Sequence, residues 1–520
     1  MTKELFKMRL LSFAALCGSV LALVSCANED ITQKDTNTDN GTNKNLTTFV
    51  TGEEPTSRTS MDYATGAFYW EAGDHIYVQD DSGTWKKSKN APTGKTAYFK
   101  FLVPGKFENN TSYKVYYPGK NGSNNQVIIP AAQTQTAPNT TTHLGESGDC
   151  GTATANKVTG KNQFSFTIDH QAAILVFQPY TSNTILKDCY LTKVEVTADN
   201  DIASTYTLDP TSGELTGSGT GKQIVLTTQD PLSGSVNENG FPLNTTVASV
   251  ATNGAYMVIK PGTHVLKVRY WIKDMVTNIE GTITKNLSSF TYAKNTYYDM
   301  TADLNVKNYD GDHYYMWDAK KQYWDGWEWT KNLPGGQPTI NNSSSPSPNF
   351  PQNNSDPRWY HEVSGAFQAT ESCASLPNAN ELAWYAKEGD PRWDEDEVWT
   401  TMGHLYKGGM WFKKKSQISG FNANTAPDGT DFRISSPSKQ WPASNTPPSA
   451  ADAGNYFYLP ALGYYRNGWL DFVGQSGSYW GSSATSWWWF YAYQLSMQKG
   501  SVQVVFGFRS DGYRVDGAFE

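Results

Sequence analysis

Between residues 46 and 306, apolar residues come in short runs or alternate with a period of two, and Gly, Asn, Asp and Pro cut the pieces to strand length. Segments 164–177, 256–259 and 265–272 show the pattern best. In the last of these, Leu266, Val268 and Tyr270 alternate with Val265, Lys267 and Arg269. Successive strand side chains point to opposite faces, so such a segment buries one face of a sheet. No long helical period competes with it. Some 260 residues of this kind, about twice an ordinary domain, are housed most economically in two sandwich-like lobes, 46–180 and 181–306. The expected fold class is mainly β.

The chain of 520 residues is long enough for a further domain, and its composition changes where one would begin. Of 18 Trp, three (Trp70, Trp85 and Trp271) precede residue 311 and 15 follow it. The boundary is placed near 307, which leaves 307–520 as a separate domain. Residues 332–357, rich in Pro, Asn, Ser and Gly, read as a loop insertion within it. One helix is signalled there. Asn378 caps it with Glu381 three residues on, Leu382, Tyr385 and Ala386 share a face, and Gly389 stops it. The chain then closes on two strands: Trp489, Tyr491, Tyr493, Leu495 and Met497 alternate along the first, Lys499-Gly500 is the turn, and Val502, Val504, Phe506 and Phe508 alternate along the second.

Residues 1–25 have a basic start, Lys3, Lys7 and Arg9, and then an apolar run from Leu10 to Val24. At about 15 residues the run is short of the roughly 20 that span a bilayer, and it reads as a secretion signal. It ends at Leu23-Val24-Ser25-Cys26, which resembles a lipobox. That implies cleavage after Ser25 and a lipid on Cys26 that tethers the chain to a membrane. An ordinary signal with a cysteine by chance is the alternative. Residues 26–45 hold almost nothing to bury and form a flexible leash, whose acidic start partly resembles a surface-export signal.

Formal charge is −8, and −10 once Lys3, Glu4, Lys7 and Arg9 leave with the signal. With no basic stripe in so acidic a chain, a nucleic-acid partner is not expected. Beyond Cys26 only Cys150, Cys189 and Cys373 remain, an odd number, so no disulfide framework can be read and Cys150 with Cys189 stays a candidate pair. The histidines His75, His143, His170, His264, His313, His361 and His404 are scattered without ligand spacing. Neither a metal nor another cofactor is expected.

Residues Arg58-Thr59-Ser60-Met61, followed by Phe68, Trp70, Gly73-Asp74, Ile76 and Val78, resemble the opening of the fimbrillin-like pilin family. Segment 166–177, with His170 before its apolar run, and segment 296–306 agree with it, so the resemblance covers about 45–306. It implies an exported lipoprotein of two β-sandwich lobes. Residues 371–520 resemble a different group, bacterial α+β C-type-lectin-like domains, some of which are targets of diversity-generating retroelements. The matching pieces are Leu376-Pro377-Asn378-Ala379-Asn380-Glu381-Leu382, Gly409-Met410-Trp411, Tyr458-Leu459-Pro460-Ala461, Gly477-Ser478-Tyr479-Trp480-Gly481-Ser482-Ser483 and Gly512-Tyr513-Arg514-Val515. A Glu-Pro-Asn or Gln-Pro-Asp sugar-calcium motif is missing, so calcium-dependent lectin activity is not carried over.

Together the two resemblances imply a tip adhesin of a type V pilus, displayed at the outer membrane and then in the fimbrium. In such pili, cleavage after an arginine removes the lipidated first strand, and a strand of another subunit fills the groove by donor-strand complementation. Arg58 is the first arginine after Cys26 and follows the strand-like Leu46–Thr51, which makes it the candidate processing site. The expected partners are other pilus subunits, a host or bacterial surface protein or glycan, and, before maturation, the membrane through Cys26.

Trp487-Trp488-Trp489 is the sharpest candidate for the recognition face. Three consecutive Trp cannot all enter one core from a strand, and Trp is favoured as an anchor at interfaces. Arg466, Asn467, Trp469, Ser486, Phe490, Tyr491, Tyr493, Arg509, Asp511 and Tyr513 complete the candidate set, and the structural alternative for each is a place in the core. The run Trp393-Asp394-Glu395-Asp396-Glu397 reads as a solvated acidic loop after the helix before it reads as a calcium site. No GxSxG, P-loop or Rossmann glycine pattern is present, and an enzyme is not expected. The rival readings are a non-polymerising outer-membrane lipoprotein that binds polysaccharide on aromatic platforms, and a carbohydrate-active enzyme whose paired carboxylates meet only in three dimensions.

Overall fold

The computed structural model describes residues 10–11, 46–51, 60–64, 68–182, 186, 188–217, 219–343, 345–363, 365, 367–435, 437–515 and 519–520. Cys26 and Arg58 lie outside the described residues. The architecture is mainly β, with four clusters of core among the described residues, two of them in the C-terminal part.

The first core is covered by a sheet that contains β1 (Leu46–Thr51), β2 (Lys100–Pro104), β3 (Ser112–Tyr117), β4 (Gly151–Lys157) and β5 (Gln163–Phe166). β1 is an inner strand, parallel to β5 on one side and antiparallel to β2 on the other. Its Phe49 faces Phe164 and Phe101 across the two ladders and is fully buried. The Phe49 ring stacks on Phe164 at 5.2 Å and meets the edge of Phe107 at 5.0 Å. Burying one such side chain stabilises by about 1.5–3 kcal/mol.

In the second core, β6 (Ala173–Tyr180) is the centre of a sheet and is buried along nearly its whole length. Next in the chain come β7 (Cys189–Ala198), β8 (Gln223–Thr227), β9 (Ala255–Ile259), β10 (Leu266–Asp274), β11 (Glu280–Asn286) and β12 (Thr296–Asp303). β6 pairs with β12 in parallel and with β9 antiparallel, while β8, β7, β10 and β11 follow one another in a second sheet. Leu266, Val268, Tyr270 and Ile272 are buried at alternate positions of β10, as its sequence pattern predicts. Leu10–Leu11 lie beside the outer edge of β12, opposite Tyr298 and Tyr297.

The outer edge of β9 is closed without a strand. Gln133, in the short strand Ala132–Thr134, and Gln135, just past its end, turn their amides to that edge. Gln133 donates to the Val258 carbonyl at 2.8 Å and accepts from the Val258 N–H at 3.0 Å. Gln135 donates to the Gly254 carbonyl at 2.9 Å and accepts from the Tyr256 N–H at 2.7 Å. Side-chain amides thus stand in for the ladder of a missing neighbour and remove an open edge.

These pairings correct the expected division at residue 180. β6 belongs to the second core, and segments Gln126–Ile129 and Ala132–Thr134 also pair with strands beyond residue 200. Alternation marks a strand but says nothing of which sheet it joins. Cys150 and Cys189 both lie in that core as free thiols, so the candidate disulfide is absent.

The C-terminal core contains α1 (Ala379–Glu388), β13 (Arg392–Thr401), β14 (His404–Lys413), β15 (Tyr456–Pro460), β16 (Ser476–Ala484), β17 (Tyr491–Gln498) and β18 (Ser501–Phe508). α1 begins in the expected capping box: the Asn378 side chain accepts from the Asn380 and Glu381 N–H groups, and Glu381 accepts from the Asn378 N–H. Gly389 ends it. β17 and β18 form the expected hairpin, with Gly500 at φ +80 in the turn between Gln498 and Ser501. Residues 332–357 hold no strand or helix among the described residues. The acidic run differs from the expected loop: it lies in β13, whose register slips between Asp394 and Val398, and Asp394 accepts from the Trp411 indole while Lys499 pairs with Glu395. Among the described residues no cluster of potential metal ligands occurs.

One carboxylate joins this module to the second core. Asp274, at the end of β10, is fully buried and accepts from the N–H groups of Val276 and Thr277 in its own turn. It also accepts from Leu405 N–H at 2.9 Å and faces His404 Nδ1 at 3.3 Å, both at the start of β14. Leu405 packs into the second core. Burial alone would raise the Asp274 pKa, but the hydrogen bonds from His404, Leu405, Thr277 and Val276 outweigh it and hold the carboxyl below the usual range. A depressed folded-state pKa contributes stability above the ordinary carboxylate range, and that contribution disappears as the pH falls through the depressed value. Asp274→Ala is therefore expected to cost about 1–3 kcal/mol at neutral pH, for the buried Leu405 N–H left unpaired. Denaturant unfolding followed from neutral to acid pH checks it: the gap between wild type and variant should shrink towards acid.

Candidate functional site

The connection between β16 and β17 decides where the three consecutive tryptophans go. Thr485 is buried, and its hydroxyl donates to the Trp488 carbonyl at 2.9 Å, while Tyr491 N–H returns to that carbonyl at 3.1 Å. These bonds close the loop on its own main chain. Trp487, Trp488 and Trp489 are 71%, 48% and 53% exposed. Ser486 beside them donates to the Ile434 carbonyl, tying the loop to a second exposed apolar residue. Contiguous apolar exposure of this kind marks a contact surface.

The hairpin extends the aromatic surface. Tyr491 faces Phe508 across the β17–β18 ladder, with ring centroids 4.8 Å apart, and Phe508 is 45% exposed. Trp488 stands at 65° and 80° to the rings of Phe506 and Tyr491, each about 6 Å away. Phe490 lies parallel to Phe508. A groove of about 620 Å³ runs along these rings and is also lined by Arg466, Gln494 and Tyr513. Gln494 is nearly buried, and its Oε1 has no hydrogen-bond partner among the described residues.

Arg466 stays exposed, but its Nε and Nη2 donate to one oxygen of Asp511 at 3.3 and 3.1 Å, and its guanidinium lies over the Tyr464 ring. Asp511 is buried and also accepts from the Tyr513 hydroxyl. Burial raises its pKa, and Arg466 opposes that. Asn467 and Gly468, at φ +48 and +80, make the two-residue turn that sets Arg466 opposite Trp469.

Four residues of the candidate set are buried. Tyr493 is fully buried and donates to the Phe432 and Pro437 carbonyls. Arg509 is fully buried over the Trp317 ring and donates to the carbonyls of Tyr491, His361 and Val363. Asp511 holds Arg466, and Tyr513 packs against Trp480 at 4.3 Å with little of it left exposed. Trp487, Trp488, Trp489, Phe490 and Tyr491 come together as expected, with Ser486 beside them. Phe506, Phe508 and Gln494 were missed. The two phenylalanines alternate in phase with the buried Val502 and Val504, and only the end of the core distinguishes them.

No family model and no curated protein matches the chain. Similar solved structures include a Bacteroides ovatus protein provisionally described as a cell adhesion protein, at 13% identity and TM-score 0.31, covering 49% of this chain and 91% of that one. A fimbrial anchor protein from Porphyromonas gingivalis aligns at 14% identity and TM-score 0.23, covering 46% and 82%. A fimbrial protein from Bacteroides ovatus aligns at 10% identity and TM-score 0.26, covering 91% and 98%. Superpositions with TM-scores this low do not establish a common fold.

The division between open and buried rings has a measurable consequence. Trp487→Ala and Trp488→Ala should each change the unfolding free energy by no more than about 0.5 kcal/mol. Tyr493→Ala should cost about 3–5 kcal/mol, the range for truncating a buried aromatic ring. Chemical denaturation of the three variants checks both.

Proposed function

We propose that this chain is a surface-displayed fimbrial subunit of the type V pilus kind, placed at the pilus tip, which accepts a strand from another subunit and binds a surface protein or glycan through its C-terminal aromatic face. The reading includes lipidation at Cys26 and maturation after Arg58. The observation that carries it is the position of β1. This strand lies just upstream of Arg58, yet it is an inner strand of the first sheet. Its loss would leave facing rows of unpaired N–H and C=O groups on β5 and β2 and an empty site where Phe49 packs. Such a groove is filled by an extended segment whose main chain supplies the hydrogen bonds and whose alternate side chains set the register. Among the described residues, every strand after Asp303 pairs within the C-terminal module, which suits a subunit that accepts a strand without offering one. The Asp274 joint would hold that module firmly on the scaffold and present the tryptophan loop outward.

Mass spectrometry of the cell-surface protein tests the scheme. The mature chain should begin at Thr59, and Arg58→Ala should keep a lipidated Cys26 terminus and fail to enter fibres. A surface form that retains Cys26 in the wild type would support the tethered polysaccharide binder instead. In adhesion assays with processed protein, Trp488→Ala should lower binding by about tenfold or more, the loss of one aromatic anchor.

A further inference from the structure

We propose that the strand which enters the groove left by β1 carries an aromatic side chain at the place of Phe49 and a hydroxyl, Ser or Thr, two residues further on, and that segments without this pair are held poorly. The inference rests on the reading of β1 as the strand that maturation exchanges, and it names the chemistry of the replacement. Main-chain hydrogen bonds to β2 and β5 are open to any extended segment, so selection has to come from side chains. The way β1 is held locates them. Leu46, Thr47 and Thr48 are half-buried, whereas Phe49, Val50 and Thr51 are buried.

Phe49 is the one β1 residue in the core of the first sheet among the described residues. Its ring lies among other rings: it stacks on Phe164 at 5.2 Å and meets the edges of Phe107 at 5.0 Å and Tyr113 at 6.5 Å. Tyr113 in turn packs on Phe107 at 5.0 Å and on Phe164 at 4.9 Å, so the walls brace one another. A leucine or valine in this place has neither face nor edge to offer those rings and leaves part of the space empty. A charged side chain would be buried there without a partner.

Thr51 lies on the same face as Phe49, two residues on. Its N–H donates to the Phe99 carbonyl at 3.3 Å, but the Phe99 N–H comes back to the Thr51 hydroxyl, at 3.1 Å. Serine keeps that acceptor. Valine has the shape of threonine and leaves the Phe99 N–H without it. A slip of one residue would turn ring and hydroxyl together to the wrong face, so the pair also sets the register of the entering strand.

The test uses the full chain, cut after Arg58 with an arginine-specific protease and brought to equilibrium with fluorescent synthetic copies of residues 44–53. The substitutions are made in the peptide, so the folding of the chain is not at issue. The unaltered copy should bind saturably. A Phe49→Leu copy should bind about tenfold more weakly and a Phe49→Ala copy about a hundredfold or more. A Thr51→Val copy should lose about threefold or more, while a Thr51→Ser copy keeps its affinity within about twofold. The inference is overturned if the unaltered copy binds and either the Phe49→Leu or the Thr51→Val copy binds equally well. If the unaltered copy does not bind at all, the exchange reading itself fails and the inference falls with it, a result distinct from the failure of one altered position.

Discussion

Main-chain N–H and C=O groups at a sheet edge need partners, and much of this structure is arranged around supplying them. Three different solutions are present. β1 is threaded between β5 and β2 and so completes a sheet from within. The outer edge of β9 is closed by the side-chain amides of Gln133 and Gln135. At the joint with the C-terminal module, the buried carboxylate of Asp274 takes up the N–H of Leu405 together with two from its own turn. The first solution is of a different kind from the others. A glutamine or an aspartate is a permanent part of its sheet, whereas β1 is the strand that the proposed maturation after Arg58 would exchange.

The same need for satisfied polar groups explains how one module holds both a dry interior and an aromatic exterior. Buried Trp317, Trp399 and Trp480 each donate their indole N–H to a main-chain carbonyl. These three rings enter the interior at no loss of hydrogen bonding, whereas the indole N–H of the equally buried Trp324 has no partner among the described residues. Trp487, Trp488 and Trp489 sit in a loop whose turn is closed by Thr485 and Tyr491, and their rings point to water. Arg509, though fully buried, serves this surface indirectly by binding the Tyr491 carbonyl where the loop returns to the sheet.

What was legible in the sequence was local. The Asn378–Glu381 box, the Gly389 stop, the Gly500 turn and the period-two burial of β10 all concern residues within a few positions of one another. Backbone geometry at that range depends on the residues themselves. That the tryptophan triplet could not enter one core whole was legible for the same reason, since no strand can turn three successive side chains to one face.

What only the tertiary structure decided was which strand meets which. β6 joins β12 and β9, more than 70 residues further on, and segment 132–135 crosses to the second core to lend its two glutamines. Tyr493 and Arg509 are buried, Phe506 is half-buried and Phe508 is left open, according to where the opposing layer ends. Alternation in a strand tells that one face is covered. How far along the strand that cover reaches is set by elements distant in sequence, and no pattern of neighbouring residues contains it.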